Sequence, residues 1–168
     1  MAELSHMNSQ GQAKMVDVSD KPVTNRRAKA RASIRVNAEL FQKLQENSLV
    51  KGDFAAAARI AGIQAAKRTA ELIPLCHPLP LELISVEVSL EEPDMVIVET
   101  DVRARSTTGV EMEALTAAAV AALTVYDMGK AVDRGMVIKE ICLLEKEGGK
   151  GGKWSHAETQ RRKGNNPP

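Results

Sequence analysis

Two alanine-rich runs constrain the fold of this chain more than any other feature of its sequence. They read FAAAARIAGIQAAKRTAEL and ALTAAAVAALTVYD. An alanine side chain buries little area, so a helix that relies on alanine must lie close to whatever it packs against. Aromatic residues make up only 2% of the 168 residues, so few large rings are available to fill wide gaps between layers. The sequence therefore predicts closely packed helices, or helices packed tightly on a sheet.

The first run is predicted to form one helix that begins after Asp53 and stops at Pro74. Asp53 is a favourable N-cap residue, and a proline cannot continue a helix. The polar residues recur at helical spacing and form one stripe on an otherwise apolar cylinder. They are Gln64, Lys67, Arg68 and Glu71.

The rest of the chain alternates apolar and polar residues, which is typical of strands with one exposed face. The first predicted strand ends at Val36. Two more strands form a hairpin within residues 82–105 through the turn EEPD, and the last strand is MVIKEICLLEK. A short helix, Ala38 to Gln45, follows the cap residue Asn37. The order strand, helices, strand, strand, helix, strand predicts an α+β class: a ferredoxin-like sandwich, with an antiparallel sheet and two long helices on one face.

The predicted domain organisation is simple. Residues 1 to about 22 are polar apart from MVDVS, and the end of this stretch is expected to anchor on the domain. Residues 1–14 are assigned as a polar N-terminal extension, residues 15–147 as a single catalytic ferredoxin-like domain, and residues 148–168 as a flexible glycine-rich, basic tail. The net charge of +1 gives no overall field to attract DNA or an acidic membrane. The two cysteines do not suggest a disulfide framework, and no signal peptide precedes the domain, so a cytoplasmic location is expected.

The stretch ELIPLCHPLPL raises a functional question, because it places His77 among three prolines. Residues before proline are pushed into extended conformations, so this piece is predicted to be a stiff ribbon with free backbone groups at Leu75, Cys76 and His77. Side chains alternate along an extended chain, which argues against a Cys76–His77 nucleophile pair. The alternative is a rigid loop whose histidine bonds a carbonyl group. No zinc-ligand spacing is present, so no metal site is predicted.

Four charged residues near helix ends are candidates for chemistry. Lys51 precedes a helix N-terminus, where a cation is disfavoured, and Asp127 closes the second long helix, where the dipole would raise its pKa. Lys130 can pair with Asp127, and together they make a possible acid/base couple. Glu113 opens the same helix. The alternatives are a solvated lysine, an exposed ion pair and a first-turn acid, and Glu111 with Thr108 matches a capping box.

Glu113 and Asp127 cannot readily share one small pocket in one chain. They are 14 residues apart (127 − 113), which corresponds to roughly 21 Å along a helix at about 1.5 Å per residue. Either one of them is structural, or the site is shared between subunits whose helix ends meet. We favour a shared site.

Four long motifs in this sequence resemble the molybdenum cofactor biosynthesis protein C family. They are MVDVSDKPVTNRRAKA, KGDFAAAARIAGIQAAKRTAELIPLCHPLPL, TGVEMEALTAAAVAALTVYDMGKAVD and LLEKEGGKGG. The likeness runs without gaps within each motif and covers about Met15 to Gly152. Only the two ends of the chain fall outside it.

The resemblance implies a lyase that rearranges a cyclised dihydroguanosine triphosphate, made by an upstream radical enzyme, to a cyclic pyranopterin phosphate and releases pyrophosphate. It implies a homohexamer, a trimer of dimers with sites at a dimer interface, and no cofactor besides Mg²⁺ that could accompany the triphosphate. The implied catalytic residues are Asp127, Lys51 and Lys130, with the lysines in proton transfer. The implied substrate-binding residues are Leu75, Cys76, His77, Met112, Glu113 and, on the phosphate side, Arg26 and Lys67.

A non-enzymatic module remains the competing interpretation. A ferredoxin-like domain could bind nucleic acid or an effector through the basic strand NRRAKAR. Such a module would show steeply salt-dependent affinity and no dependence on Asp127.

Overall fold

The structure is a computed structural model that describes residues 10–157. Its centre is a five-stranded sheet in the order β2-β3-β1-β4-β5, and every neighbouring pair is antiparallel. The strands are β1 (Thr24–Arg35), β2 (Leu81–Glu91), β3 (Met95–Ser106), β4 (Val137–Glu147) and β5 (Trp154–Ser155). The helices are α1 (Ala38–Gln45), α2 (Phe54–Lys67), α3 (Thr69–Leu72) and α4 (Glu111–Gly129).

The α+β class and the ferredoxin-like arrangement are confirmed. Three of the four buried inward-facing residues of β1, the central strand, are small: Ala28, Ala30 and Ala32 are at most 1% exposed, and the fourth is Ile34. The alanines of α4 lie against this face, and Ala114, Ala117 and other members of the run are fully buried. The core is therefore built from short side chains brought close together, as the alanine-rich runs predict.

The two long helices approach each other at Gly62 of α2. A Cβ atom added there would lie 3.0 Å from the carbonyl oxygen of Ala117 and 3.3 Å from the Cβ of Ala121. Distances this short leave no room for a larger residue without moving one helix. The start of α2 lies beside the end of α4, because Lys51, just before α2, contacts Asp127. The two helices thus form a tight antiparallel pair.

The predicted first long helix is wrong in its last turn. It breaks at Arg68, and the separate short helix α3 follows. The Thr69 hydroxyl donates to the Ala66 carbonyl oxygen at 3.0 Å. The break itself lies in the backbone of Arg68, whose φ of −113° and ψ of 13° are not helical.

The C-terminal region contains an element that the sequence did not predict. After β4 the chain turns through glycines, and Trp154 and Ser155 pair with Lys146 and Glu145 as β5. Within the described residues the segment after Glu147 is therefore partly ordered. Residues 1–9 and 158–168 lie outside the described residues, and the boundaries of the three predicted regions stay predictions. No helix among residues 10–157 is long and apolar enough to cross a membrane.

Candidate active site

The C-terminal end of α4 carries a carboxylate between two ammonium groups. Asp127 accepts hydrogen bonds from Lys51 Nζ at 2.9 Å on one oxygen and from Lys130 Nζ at 2.7 Å on the other. Lys51 Nζ also donates to the Asp127 backbone carbonyl at 2.8 Å. All three side chains are about half exposed. Two of the contacts link α4 to the turn before α2, so the cluster depends on the antiparallel pairing of the helices.

This cluster reverses the expected titration of Asp127. The sequence predicted that the helix dipole would raise its pKa. The hydrogen bonds and charges of Lys130 and Lys51 instead lower the pKa of Asp127 to about 2. Two cations within 3 Å outweigh a dipole that falls off within one helical turn. Asp127 is therefore ionised at neutral pH.

The proline-rich ribbon lines a cavity of about 650 Å³ at the other end of α4. The first turn of α4 forms the opposite wall. Cys76 and His77 both line this cavity, although alternation of side chains predicted opposite sides for them. Five of the predicted substrate-binding residues meet here: Leu75, Cys76, His77, Met112 and Glu113.

The N-terminal segment closes one side of the cavity. His77 Nε2 lies 3.0 Å from the backbone carbonyl oxygen of Val16, and Val16, Val18 and Lys21 line the same space. The prediction that this segment contacts the domain is confirmed. The histidine does bond a carbonyl, as the alternative interpretation held, but it does so at the wall of a cavity large enough for a nucleotide ring.

Glu113 is a buried acid without a cation partner. It is 4% exposed, and no side chain among the described residues hydrogen-bonds its carboxyl group. Burial, helped by the negative charge of Glu111, raises the pKa of Glu113 to about 7. A carboxyl group poised near neutrality can hold a ligand edge in either protonation state.

The predicted capping box is wrong. The N-cap of α4 is Val110, which makes no side-chain capping bond, and helix α4 begins at Glu111. The Glu111 carboxylate instead pairs with Lys146 Nζ of β4 at 2.8 Å. A partner 35 residues away (146 − 111) in the sequence outcompetes the local cap, because the ion pair is partly buried and more favourable.

Two further cavities adjoin the first. One, of about 520 Å³, is lined by Arg26 and by several lysines that the sequence analysis did not assign. These are Lys21, Lys146 and Lys150. They lie in the motifs DVSDK and EKEGGKGGK, which are part of the family resemblance but gave no further clue to individual roles. The other, of about 250 Å³, is lined by Lys67 together with His77 and Glu113.

The predicted site residues thus fall into two groups at opposite ends of α4. Asp127, Lys51 and Lys130 form one group, and none of them lines the three cavities just described. The remaining seven residues lie around the connected cavities. Within residues 10–157, no cluster of three or more histidine, cysteine or acidic side chains could hold a metal ion. Both cysteines are free thiols.

Comparisons with known proteins agree on one family. A family model described as "MoaC family" matches residues 15–149. A Thermomicrobium roseum protein named cyclic pyranopterin monophosphate synthase is 56% identical over 163 residues, which cover 96% of this chain and 98% of the relative. Proteins with the same name from Bacillus mycoides and Bacillus thuringiensis are 54% and 52% identical, and they cover 90% and 92% of this chain and 96% and 98% of their own lengths.

Proposed function

This chain belongs to the MoaC family, and on that premise we propose that it is a cyclic pyranopterin monophosphate synthase. It converts (8S)-3',8-cyclo-7,8-dihydroguanosine 5'-triphosphate to cyclic pyranopterin phosphate and pyrophosphate, a lyase reaction of molybdenum cofactor biosynthesis. The observation that carries the proposal is the high identity to synthases over more than nine-tenths of the chain. The geometry of the two groups is consistent with the reaction.

The cavity between the proline-rich ribbon and the first turn of α4, called here the apolar cavity, suits the ring system of the substrate. Its volume of about 650 Å³ is in the range of small-molecule sites. The backbone of the ribbon at Leu75 to His77 presents hydrogen-bonding groups, and Glu113 faces a guanine-like edge that carries N–H donors. An ionised carboxylate accepts two such hydrogen bonds at once.

The adjoining basic cavity suits the phosphates. Lys21, Arg26, Lys146 and Lys150 surround it, and within residues 10–157 Lys146 is the one of these four in an ion pair with an acid. Because cyclisation of the phosphate expels pyrophosphate, negative charge grows on the leaving group, and nearby cations stabilise that charge in the transition state. Lys67, beside His77 in the smallest of the three cavities, adds a further cation on this side.

Proton transfer is assigned to the other end of the helix. Lys51 and Lys130 donate and accept protons, and the ionised Asp127 between them holds them in place. Within one chain these lysines are too far from the cavity to act, since about 14 residues of helix separate Asp127 from Glu113.

We therefore propose that the site is shared. The lysine–aspartate cluster of one subunit completes the cavity of its neighbour in a dimer, and three dimers form a homohexamer. The same proposal includes an upstream radical enzyme that supplies the cyclised nucleotide, a cytoplasmic location, no resident cofactor, and Mg²⁺ only as a companion of the triphosphate.

The direct test is incubation of the purified protein with the cyclised nucleotide. We expect stoichiometric release of pyrophosphate and the appearance of a fluorescent pterin after oxidation. Stable substrate with no pyrophosphate, in a protein that is folded by circular dichroism, would overturn the proposal.

The competing nucleic-acid module is not favoured by the structure. In the strand NRRAKAR, Arg27 pairs with Asp101 at 2.6 Å and Arg31 pairs with Glu91 at 2.9 Å. Arginines neutralised by acids on neighbouring strands do not form the unpaired basic stripe that phosphate backbones require.

A further inference from the structure

Arg26 is held on two sides by backbone. Its Nε donates to the Ser106 carbonyl oxygen at 3.1 Å, and its Nη2 donates to the Thr107 carbonyl oxygen at 2.9 Å. Both acceptors lie where β3 ends and the chain turns toward α4. A planar guanidinium matches two adjacent acceptors in a way that a lysine ammonium cannot.

A glycine turn closes over the other side of the same side chain. Gly148 and Gly149 follow β4 with φ angles of +103° and +69°, in the region that favours glycine. A Cβ atom at Gly149 would collide with Arg26 Nη1, and one at Gly148 would collide with the carbonyl oxygen of Asn25. The turn therefore lies directly against the guanidinium, with no space for any side chain.

The loop between β3 and α4, which accepts the hydrogen bonds of Arg26, continues into the wall of both cavities. Thr108 and Gly109 line both the apolar and the basic cavity, and the next residues form the first turn of α4. That turn carries Glu113, which the proposed function places against the substrate ring. A displacement of the loop would therefore move the groups that bind the ring, even though Arg26 itself does not contact the ring cavity.

We propose that Arg26 is a positioning residue, which locks the loop before α4 against the C-terminal glycine turn and so fixes the first turn of α4 at the cavity. Two of its donors, Nε and Nη2, are occupied by the backbone carbonyls of Ser106 and Thr107. The proposal depends on the proposed function only for the choice of the reaction that is measured.

The test compares variants on both sides of this contact. Arg26→Lys keeps the positive charge and removes the guanidinium that donates to two carbonyl oxygens at once. Gly149→Ala keeps Arg26 and forces the turn away from it. Gly152→Ala is the matched control, because Gly152 has a similar φ of +60° but no atom within 4 Å of an added Cβ.

We expect Arg26→Lys and Gly149→Ala each to lower kcat/KM by roughly 10- to 100-fold, since a small misplacement of binding groups has effects of that size. The loss is expected mainly in KM, because the Lys51–Asp127–Lys130 cluster at the far end of α4 is untouched. Gly152→Ala is expected to stay within about threefold of wild type. Adding Arg26→Lys, which keeps the positive charge, to Gly149→Ala is expected to cause no further loss, because the two changes break one contact.

A second measurement needs no substrate. Amide hydrogen exchange in residues 107–113 is expected to be faster in Arg26→Lys and Gly149→Ala than in wild type and unchanged in Gly152→Ala. Near-wild-type KM and exchange in Arg26→Lys would show that the charge alone matters and would overturn the positioning role. Equal losses in Gly152→Ala would also overturn it. An inactive wild type would instead contradict the proposed function, and the exchange data would still decide the role of Arg26.

Discussion

The two acids of α4 occupy opposite environments on one helix. Glu113, in the first turn, is buried beside an apolar cavity and has no cation partner within the part of the chain that the structure describes, and its pKa rises to about 7. Asp127, in the last turn, is exposed between two ammonium groups, and its pKa falls to about 2. The helix dipole alone would favour the reverse order, with the easily ionised acid at the N-terminal end.

The difference shows that nearby side chains and burial, more than position on the helix, set the charge of a helix-terminal acid. The two ends of α4 therefore offer different chemical groups. One end offers a carboxyl group that can change its protonation state near neutral pH, and the other offers an ionised carboxylate that orients two lysines. A site that needs both functions has to bring the two ends of different helices together.

The largest expected effect comes from mutating the lysine–aspartate cluster at the C-terminal end of α4. Lys51→Ala or Asp127→Ala should lower kcat by roughly 10²- to 10⁴-fold, the usual range for losing a proton-transfer group. Pyrophosphate release measures the rate. Lys139→Ala, an exposed lysine of β4, is the control. A kcat within a few-fold of wild type in both test variants would remove this cluster from the mechanism.

Mixing two inactive variants tests whether the two ends come from different chains. Glu113→Ala and Asp127→Ala subunits, unfolded and reassembled together in equal amounts, should regain about one quarter of wild-type activity. Half of randomly formed dimers are mixed, and one of the two sites in each carries both intact groups. No regain, in oligomers shown by mass spectrometry to be mixed, would contradict the shared site.

Removing the buried acid should make the protein more stable at high pH. The folded-state pKa of Glu113 is raised from 4.5 to about 7, so the folded state binds more protons and wild-type stability falls as the pH rises across that window. At pH 8, Glu113→Gln should be more stable in urea unfolding by on the order of 2 kcal/mol. The advantage should vanish near pH 4.5.

The control for this prediction is Glu39→Gln, since Glu39 is also a first-turn acid but is exposed. It should show no gain of similar size at any pH. A Glu113→Gln variant whose advantage is the same at pH 4.5 and pH 8 would show that burial does not shift this carboxyl group.

The smallest effect is expected for the stability contribution of Asp127. Its folded-state pKa is lowered from 3.8 to about 2, so its ion pairs stabilise the folded protein above pH 4 and this contribution disappears as the pH falls through 2. Asp127→Asn should therefore lower the urea midpoint slightly at pH 7 and not at pH 2. A large loss at pH 7 would mean that the cluster supports the fold as well as the reaction.

Local patterns predicted the elements of the fold well. The cap residue Asn37 accepts from the Leu40 amide at 2.8 Å, and α1 begins and ends where the sequence predicted. The hairpin of β2 and β3 and the two long helices were also predicted, because hydrophobic period and capping residues report directly on local backbone. The break at Arg68 was missed because the helical pattern of polar residues continues through it to Glu71.

Contacts between distant parts of the chain could not be predicted in this way. His77 meets the Val16 carbonyl, Glu111 meets Lys146, and Arg26 meets the carbonyls that end β3. Each depends on how the sheet and helices pack, which periodicity does not encode. For the site, the sequence supplied residue types and the distance between two acids, and the family resemblance supplied the roles, which activity measurements have still to test.

The close approach of α2 and α4 at Gly62 limits how the two ends of α4 can meet. Two helices packed this closely form a rigid pair that does not bend to bring its two ends together. If the shared site is correct, a lone subunit has no route to turnover, and activity depends on assembly of the oligomer. Specific activity should then decline on dilution, with a midpoint at the concentration where the assembly dissociates.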